Sequence, residues 1–246
     1  MPVQARHGFR RRMAIRVRQA PRVLGSPRQQ AVDLFRRLSD TSPAAFEASL
    51  AAATNNLSVY LARAGSRDHA LALGREAVAI RRRLAAASPG AFEPDLALSL
   101  TNLGNRLAET SRYDEALPPA SESVDIYRRL ADASPAAFEP GLARALHNLG
   151  NRLAESGHRG PALAVSQETV QIRRRLAGVN PGAFEPDLAL SLSACSHRLA
   201  DGGRREEAIE AAREAADIYQ RPADVRPVFT SSLAAARANL SFHSRP

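Results

Sequence analysis

The stretch PGAFEPDLALSLTNLGNRLAETSRYDEALPPASESVDIYRRLADAS, residues 89–134, determines the fold of this chain. Its first half carries leucines at spacings of four, three and four, which form one apolar stripe on a helix: Leu96, Leu100, Leu103 and Leu107. A short turn follows at Ser111, and a second apolar stripe then runs to Leu130. The stretch therefore predicts two antiparallel helices, here called helix A and helix B.

The same pair recurs along the chain with a period of 46 residues. Two series of side chains mark it, with the last phenylalanine one residue early: Phe46, Phe92, Phe138, Phe184 and Phe229, and Pro43, Pro89, Pro135, Pro181 and Pro227. Such a period is typical of stacked identical units. We expect an all-α solenoid of ten helices: a lone helix B at 27–42, repeats at 43–88, 89–134, 135–180 and 181–226, and a lone helix A at 227–246.

The string Asn102-Leu103-Gly104-Asn105 with Ala116 resembles the tetratricopeptide repeat (TPR), and it recurs at 148–151. The resemblance implies a right-handed superhelix whose A helices line a concave groove for a protein or peptide. It also implies a small residue where helices A and B cross and an alanine early in helix B. These residues are Ser58, Gly104, Gly150, Ser196 and Ser241, and Ala70, Ala116, Ala162 and Ala208.

The repeat is longer than the ordinary TPR, which has about 34 residues. Seven of the additional residues extend helix B, and we expect the other five to precede helix A, so that Pro94 falls in its first turn. Similar long helices occur in kinesin light chains and in arrays of bacterial signalling proteins. In repeat two, Pro118 and Pro119 predict a helix B that starts late or kinks. Pro161 falls in a first turn, where it is harmless.

The resemblance places a ladder of polar side chains in the groove: Asn56, Thr101, Asn102, Asn105, Arg144, His147, Asn148, Asn151 and His197. Carboxamides offer a donor and an acceptor, so they can pair with the backbone of an extended peptide. The alternative is that they bond to adjacent helices and stiffen the array. Because the ladder is interrupted at Val59 and Ala194, repeats two and three are expected to form the best groove.

Every basic residue except histidine is an arginine. We expect the row Arg106, Arg152 and Arg198 to pair with acids on helix B, or else to reach the groove edge. The clusters 81–83, 128–129 and 173–175 lie near the ends of B helices, where cations oppose the helix dipole. We interpret them as a solvated convex face. A nucleic-acid stripe is the alternative, disfavoured by the many neighbouring acids.

No pattern in the chain predicts catalysis, a metal or a cofactor. The six histidines lack metal spacing, and no nucleophile motif or phosphate loop is present. Cys195 occupies the position of Leu57, Leu103 and Leu149, which indicates a core residue. No stretch is apolar and long enough to span a bilayer, and no secretory signal is evident, so a cytoplasmic protein is expected.

The net charge of +9 comes mainly from the first residues. Residues 1–30 contain eight arginines and no acid, whereas the remainder contains 26 arginines and 25 acids. We expect 1–26 to be a disordered basic leader, and binding of nucleic acid or an anionic surface through it is one alternative function. The other is weak self-association through the final helix A, which no helix B covers.

Overall fold

The computed structural model describes residues 25–223 together with Ala234 and Ala238. Within these residues the chain is entirely helical, and consecutive helices pack in series as the α-solenoid predicted from the sequence. The helices of 25–223 are α1 Pro27–Thr41, α2 Pro43–Arg63, α3 Arg67–Ala87, α4 Pro89–Glu109, α5 Tyr113–Ala133, α6 Pro135–Glu155, α7 Arg159–Val179, α8 Pro181–Asp201 and α9 Arg205–Ala223. The even-numbered helices are A helices and the odd-numbered ones are B helices.

A single residue joins each helix B to the following helix A. Ser88 ends α3, begins α4 and has an extended φ of −149°. Proline follows it, and a residue before proline is driven out of the helical region. Its backbone N–H still bonds to the Leu84 carbonyl, at 2.9 Å. The same arrangement occurs at Ser42, Ser134 and Asn180.

The predicted start of helix A was wrong. The helix begins at Pro89, and Pro94 lies inside it, so the Phe-Glu-Pro segment belongs to the helix and does not precede it. Pro94 deprives the carbonyl four residues earlier of its donor. That carbonyl belongs to Gly90, which is exposed to solvent in the first turn, so water can replace the missing hydrogen bond.

Each helix A turns into its helix B within three residues. The second residue after the helix has a positive φ: 83° at Gly65, 62° at Ser111, 80° at Gly157 and 77° at Gly203. The next backbone N–H returns to a carbonyl of the last helical turn, as from Ser66 to Leu61 at 2.8 Å. Ser111 is the one non-glycine residue with positive φ within the described part of the chain.

Helices A and B cross where the resemblance implied. The four helix B alanines are completely buried: Ala70, Ala116, Ala162 and Ala208. Ser58 donates from its hydroxyl to the Ala70 carbonyl at 2.7 Å. At Gly150, a Cβ would lie 3.2 Å from the Ser166 hydroxyl, so only a small residue permits this approach.

The chain divides into two compact units, Met1–Pro119 and Ala120–Pro246. The boundary falls within α5, directly after Pro118 and Pro119. Because α5 begins at Tyr113, the late start predicted as one alternative was wrong. Pro161 lies in the first turn of α7, as predicted. The basic leader and the predicted final helix A lie outside the described residues, apart from Gly25, Ser26, Ala234 and Ala238.

Each unit has its own apolar core. Leu57 and Ala70 lie at the centre of the first, and Leu192 and Ala208 at the centre of the second. Cys195 belongs to the second core with 4% of its surface exposed, which confirms its predicted place. Among the described helices, none combines the length and the apolar composition needed to cross a bilayer.

Candidate functional site

In the first unit, polar side chains of α2 and α4 join in one network. Asn102 donates from Nδ2 to Asn55 Oδ1 at 3.0 Å, and the Ser99 hydroxyl approaches the same oxygen at 3.4 Å. Arg81 of α3 donates from Nη1 to Ser99 Oγ at 2.7 Å and to the Asp95 carbonyl at 2.6 Å. The network connects three helices, which is the interhelical role foreseen as the alternative for Asn102.

The other predicted groove residues of this unit differ in access. Asn56 is exposed and Asn105 is half-buried, and neither side chain has a hydrogen-bond partner among residues 25–223. Thr101 is buried, with 3% of its surface exposed, and its hydroxyl donates to the Ala97 carbonyl of its own helix. The side-chain donors and acceptors of Asn56 and Asn105 are therefore available to a ligand. Thr101 is buried and is not accessible to one.

The second unit repeats the network with different side chains. Arg173 of α7 bonds to Ser191, whose hydroxyl lies 3.4 Å from His147 Nδ1. Arg198 donates from Nη2 to Asn151 Oδ1 and from Nη1 to Ser166 Oγ, each at 2.6 Å. Each of these networks crosses from α8 to α6 and to α7, so Asn151 also has an interhelical role.

Three predicted residues of the second unit remain accessible. Arg144 and His197 are exposed and Asn148 is half-buried. The Asn148 carboxamide has no hydrogen-bond partner within the described residues. We call these residues the helix-A surface of the second unit, and Asn56 and Asn105 the helix-A surface of the first; each is considered by itself.

Positive charge surrounds His147. Burial, the largest cause, and the nearby guanidinium groups of Arg173, Arg198 and Arg152 together lower its pKa to about 4. The imidazole is therefore neutral at pH 7 and can act as a donor or an acceptor. The potential around it favours a negatively charged neighbour.

The arginine row 106, 152 and 198 pairs differently from the prediction. Arg106 donates from Nη2 to Glu109 Oε1 at 2.7 Å, and Arg152 pairs with Glu155 at 2.8 Å. Both acids lie on the same helix A, so the predicted pairing with an acid on helix B was wrong. Arg198 binds the neutral acceptors Asn151 and Ser166 instead. The three guanidinium groups are structural parts of the helix packing.

The arginine triplets attach one helix B to several neighbours. In the second unit, Arg173 bonds to α8, Arg174 to Glu214 of α9, and Arg175 to Glu139 of α6. In the first unit, Arg81 bonds to α4 and Arg83 to Glu47 of α2. The expectation of a solvated face was wrong for Arg81 and Arg173, which are 5% and 4% exposed.

Ion pairs also connect successive B helices at a spacing of 40 residues. The pairs are Arg36–Glu76, Arg75–Glu115, Arg128–Glu168 and Arg174–Glu214. A single exposed pair contributes only about 0–1 kcal/mol, but it occupies the guanidinium group. Sequence reasoning missed these pairs, although the constant spacing of arginine and glutamate was a usable signal.

Two kinds of junction alternate between a helix B and the next helix A. At two junctions the residue of helix B is an arginine, Arg81 or Arg173, and it faces an aspartate and a serine of the next helix A. At the junction between α5 and α6 the equivalent residue is Tyr127, which faces Gly141. Ala145 stands there in place of the serine. A Cβ on Gly141 would lie only 2.5 Å from Tyr127 Cε1. The large ring therefore requires the glycine, as the buried arginine requires the hydroxyl.

The described residues give no sign of a metal centre. No group of three or more His, Cys, Asp or Glu side chains within them is arranged to hold an ion. Burial raises the pKa of the Cys195 thiol, which disfavours the reactive thiolate.

Comparison with known proteins agrees with the geometry. A family model described as tetratricopeptide repeat matches residues 50–87, 96–135 and 142–182. No curated protein matches this chain in sequence.

Two solved structures show a similar fold. The crystal structure of BtubC (BKLC) from P. vanneervenii is 17% identical with a TM-score of 0.63, covering 91% of this chain and 85% of that one. A Podosopora anserina protein with nearly identical TPR-like repeats, assigned as a kinesin light chain, is 17% identical with a TM-score of 0.55. It covers 78% of this chain and 96% of that one. At this identity the likeness concerns the fold alone. With the in-register helix pairs and the family match, the chain belongs to the tetratricopeptide repeat family.

Proposed function

We propose that this chain is a non-catalytic scaffold that holds an extended peptide segment of a partner protein on a helix-A surface. Tetratricopeptide repeats generally mediate protein–protein interaction. The proposal that this surface binds a peptide rests on a difference in hydrogen bonding among the asparagines. Asn102 and Asn151 hold neighbouring helices together, whereas Asn56, Asn105 and Asn148 have no hydrogen-bond partner among residues 25–223.

The chemistry of a carboxamide suits recognition of a peptide backbone. Asparagine is a poor residue inside a helix, so an accessible one without a partner needs another reason to be there. Its N–H groups and its oxygen can pair with a peptide carbonyl and N–H whatever the peptide side chains are. In the second unit, Arg144 and His197 lie on the same surface and add selectivity through charge.

The experiment is a selection from a library of random peptides against the full chain, followed by chemical variation of the selected peptide. Replacing single peptide N–H groups by N-methyl groups removes one donor at a time. We expect methylation at alternating positions to abolish binding, because an extended peptide presents its amides alternately. Binding that survives methylation at every position would contradict backbone recognition by carboxamides.

We also propose that the protein acts in the cytoplasm, within a signalling assembly of the kind in which similar repeats occur in bacteria. The engagement of the arginine triplets in interhelical bonds supports a protein partner over a nucleic acid for the repeat body. Attachment of the basic leader to an anionic polymer stays a separate hypothesis. It predicts that deleting residues 1–26 removes any salt-sensitive binding.

A further inference from the structure

A cavity of the second unit combines an apolar base with a polar rim. Side chains of α7, α8 and α9 line it, and its volume is about 290 Å³. Sites for small molecules have roughly 300–1,000 Å³, so this cavity suits a small ligand. No residue of the helix-A surface of this unit lines it, which separates it from the proposed peptide site.

Four buried side chains form the base: Val170, Leu192, Cys195 and Leu199, each with at most 6% of its surface exposed. At the position of Cys195 the three preceding repeats have a leucine, as at Leu103. A cysteine is smaller, and a smaller side chain in a core leaves space that its neighbours fill only in part. The Cys195 thiol lines this space and has no hydrogen-bond partner within the described residues.

The rim carries polar groups that the protein does not use. Gln167 and Gln171 lie one helical turn apart on α7, and neither side chain has a hydrogen-bond partner among residues 25–223. Glu210 of α9 is exposed at the rim and also lacks a partner among these residues. Acceptors from two helices therefore remain available at the mouth of the cavity.

The charge of the rim is negative. Glu214 pairs with Arg174, and Glu207 pairs at 2.6 Å with Arg204, which lies outside the cavity. Three lining carboxylates against two guanidinium groups leave a net charge of −1, which belongs to Glu210. The rim therefore favours a ligand with a single positive charge.

We propose that this cavity binds an alkylammonium group, which is a linear alkyl chain that ends in a primary amine. The chain lies on the apolar base and removes it from water. The ammonium has three donors and no acceptor, so it suits the Glu210 carboxylate and the amide oxygens of Gln167 and Gln171. The group comes from a lysine side chain of a partner or from a free alkylamine.

The single cysteine of the chain makes the cavity observable by NMR. Cysteine labelled with ¹³C at Cβ gives one resonance in the full chain, that of Cys195. Two amines are titrated, pentylamine and Nα-acetyl-lysine methylamide, beside two controls. Pentanol keeps the chain without the charge, and methylamine keeps the charge without the chain.

We expect at least one of the two amines to shift the resonance with a Kd on the order of a millimolar. Pentanol and methylamine should each bind about fivefold more weakly or less, because each lacks one part of the recognised group. The tighter of the two amines identifies the source. No shift with either amine, or equal binding of pentanol, would overturn the proposal.

Substitution tests the base and the rim separately, with the backbone amide of Ala211 as the reporter. Cys195→Leu restores the residue of the preceding repeats, so we expect a folded protein whose filled cavity binds the amine at least about tenfold more weakly. Unchanged affinity in this variant would contradict the site.

Glu210→Gln removes the unpaired charge from the rim and should weaken binding about fivefold. The matched control is Glu206→Gln, which removes an exposed charge of α9 outside the cavity and should leave the affinity unchanged. Equal effects of these two substitutions would show that Glu210 does not bind the ammonium and would overturn the assignment.

Discussion

Arg81 and Ser99 are joined by a hydrogen bond of 2.7 Å between helices of successive repeats, and both side chains are buried. The serine hydroxyl is the acceptor that makes a buried guanidinium tolerable at this junction. We expect Ser99→Ala to lower the free energy of unfolding by about 1–3 kcal/mol, since one N–H then loses its acceptor.

A double-mutant cycle with Arg81→Met measures the pair directly. In the Arg81→Met background, Ser99→Ala should change the free energy of unfolding by less than about 0.5 kcal/mol, because no N–H remains to be satisfied. Urea unfolding of the four proteins gives the coupling energy. Additive effects of the two substitutions would show that the hydrogen bond does not hold this junction.

A second prediction concerns a buried hydroxyl with no partner. Thr54 is completely buried at the position of Leu100, Leu146 and Leu192, and its Oγ1 has no hydrogen bond among the described residues. Thr54→Val keeps the shape and removes the hydroxyl, so we expect a gain of about 1 kcal/mol in unfolding free energy. The matched control is Thr169→Val. Thr169 donates to the Val165 carbonyl at 2.8 Å, and its loss should destabilise by a similar amount. Both substitutions are measured by thermal unfolding. If Thr54→Val destabilises the protein as Thr169→Val does, the buried hydroxyl of Thr54 is not the unfavourable group proposed.

A third prediction follows from backbone conformation. Ser111 has a φ of 62°, where the equivalent positions of the other turns have glycine. A side chain in this region is disfavoured by about 1–2 kcal/mol, partly offset by the greater freedom of glycine in the unfolded chain. We expect Ser111→Gly to stabilise by about 0.5–1 kcal/mol and the reciprocal Gly157→Ser to destabilise. Chemical denaturation measures both, and a loss of stability in Ser111→Gly would be inconsistent with this explanation.

The fourth prediction is a pH dependence that arises from His147. Its pKa falls from an ordinary 6.5 to about 4 on folding, so between these values the unfolded chain binds more protons than the folded one. Stability should therefore decrease as pH falls from 6.5 towards 4, by about 2 kcal/mol from this residue at pH 4.5. His147→Asn introduces the residue that the first unit has at the equivalent position, Asn55. It should remove the part of the stability loss that His147 causes. The comparison is urea unfolding at pH 7 and at pH 4.5. An equal loss in both proteins would exclude His147 as its source.

The helical fold was predictable because its signals are local and repeated. The apolar spacing in Leu96–Leu107, the prolines between repeats and the buried alanines such as Ala70 each act within one or two helices. The start of helix A was missed because a proline is normally a first-turn residue, whereas Pro94 is tolerated later owing to the exposed Gly90 carbonyl.

The candidate site was only partly predictable from the sequence. The position of Asn102 on helix A followed from the resemblance, but its bond to Asn55 depends on the distance between two A helices, which a periodic pattern does not contain. The inward direction of Arg81 was also missed. A comparison of repeats could have predicted this direction. The repeat that follows Arg81 has Asp95 and Ser99, whereas the repeat that follows Tyr127 has Gly141 and Ala145 at the equivalent positions.

The central claim is that the unpaired carboxamides of the helix-A surfaces bind the peptide. The most direct measurement is calorimetric titration of a selected peptide into the wild-type chain, into Asn56→Ala/Asn105→Ala/Asn148→Ala, and into the control Asp132→Ala, which alters an exposed residue of helix B. We predict at least about tenfold weaker binding for the triple variant, since each lost hydrogen bond contributes about 0.5–1.5 kcal/mol, with unchanged helicity and unchanged binding in the control. Equal affinity of the triple variant and the wild type would contradict the claim.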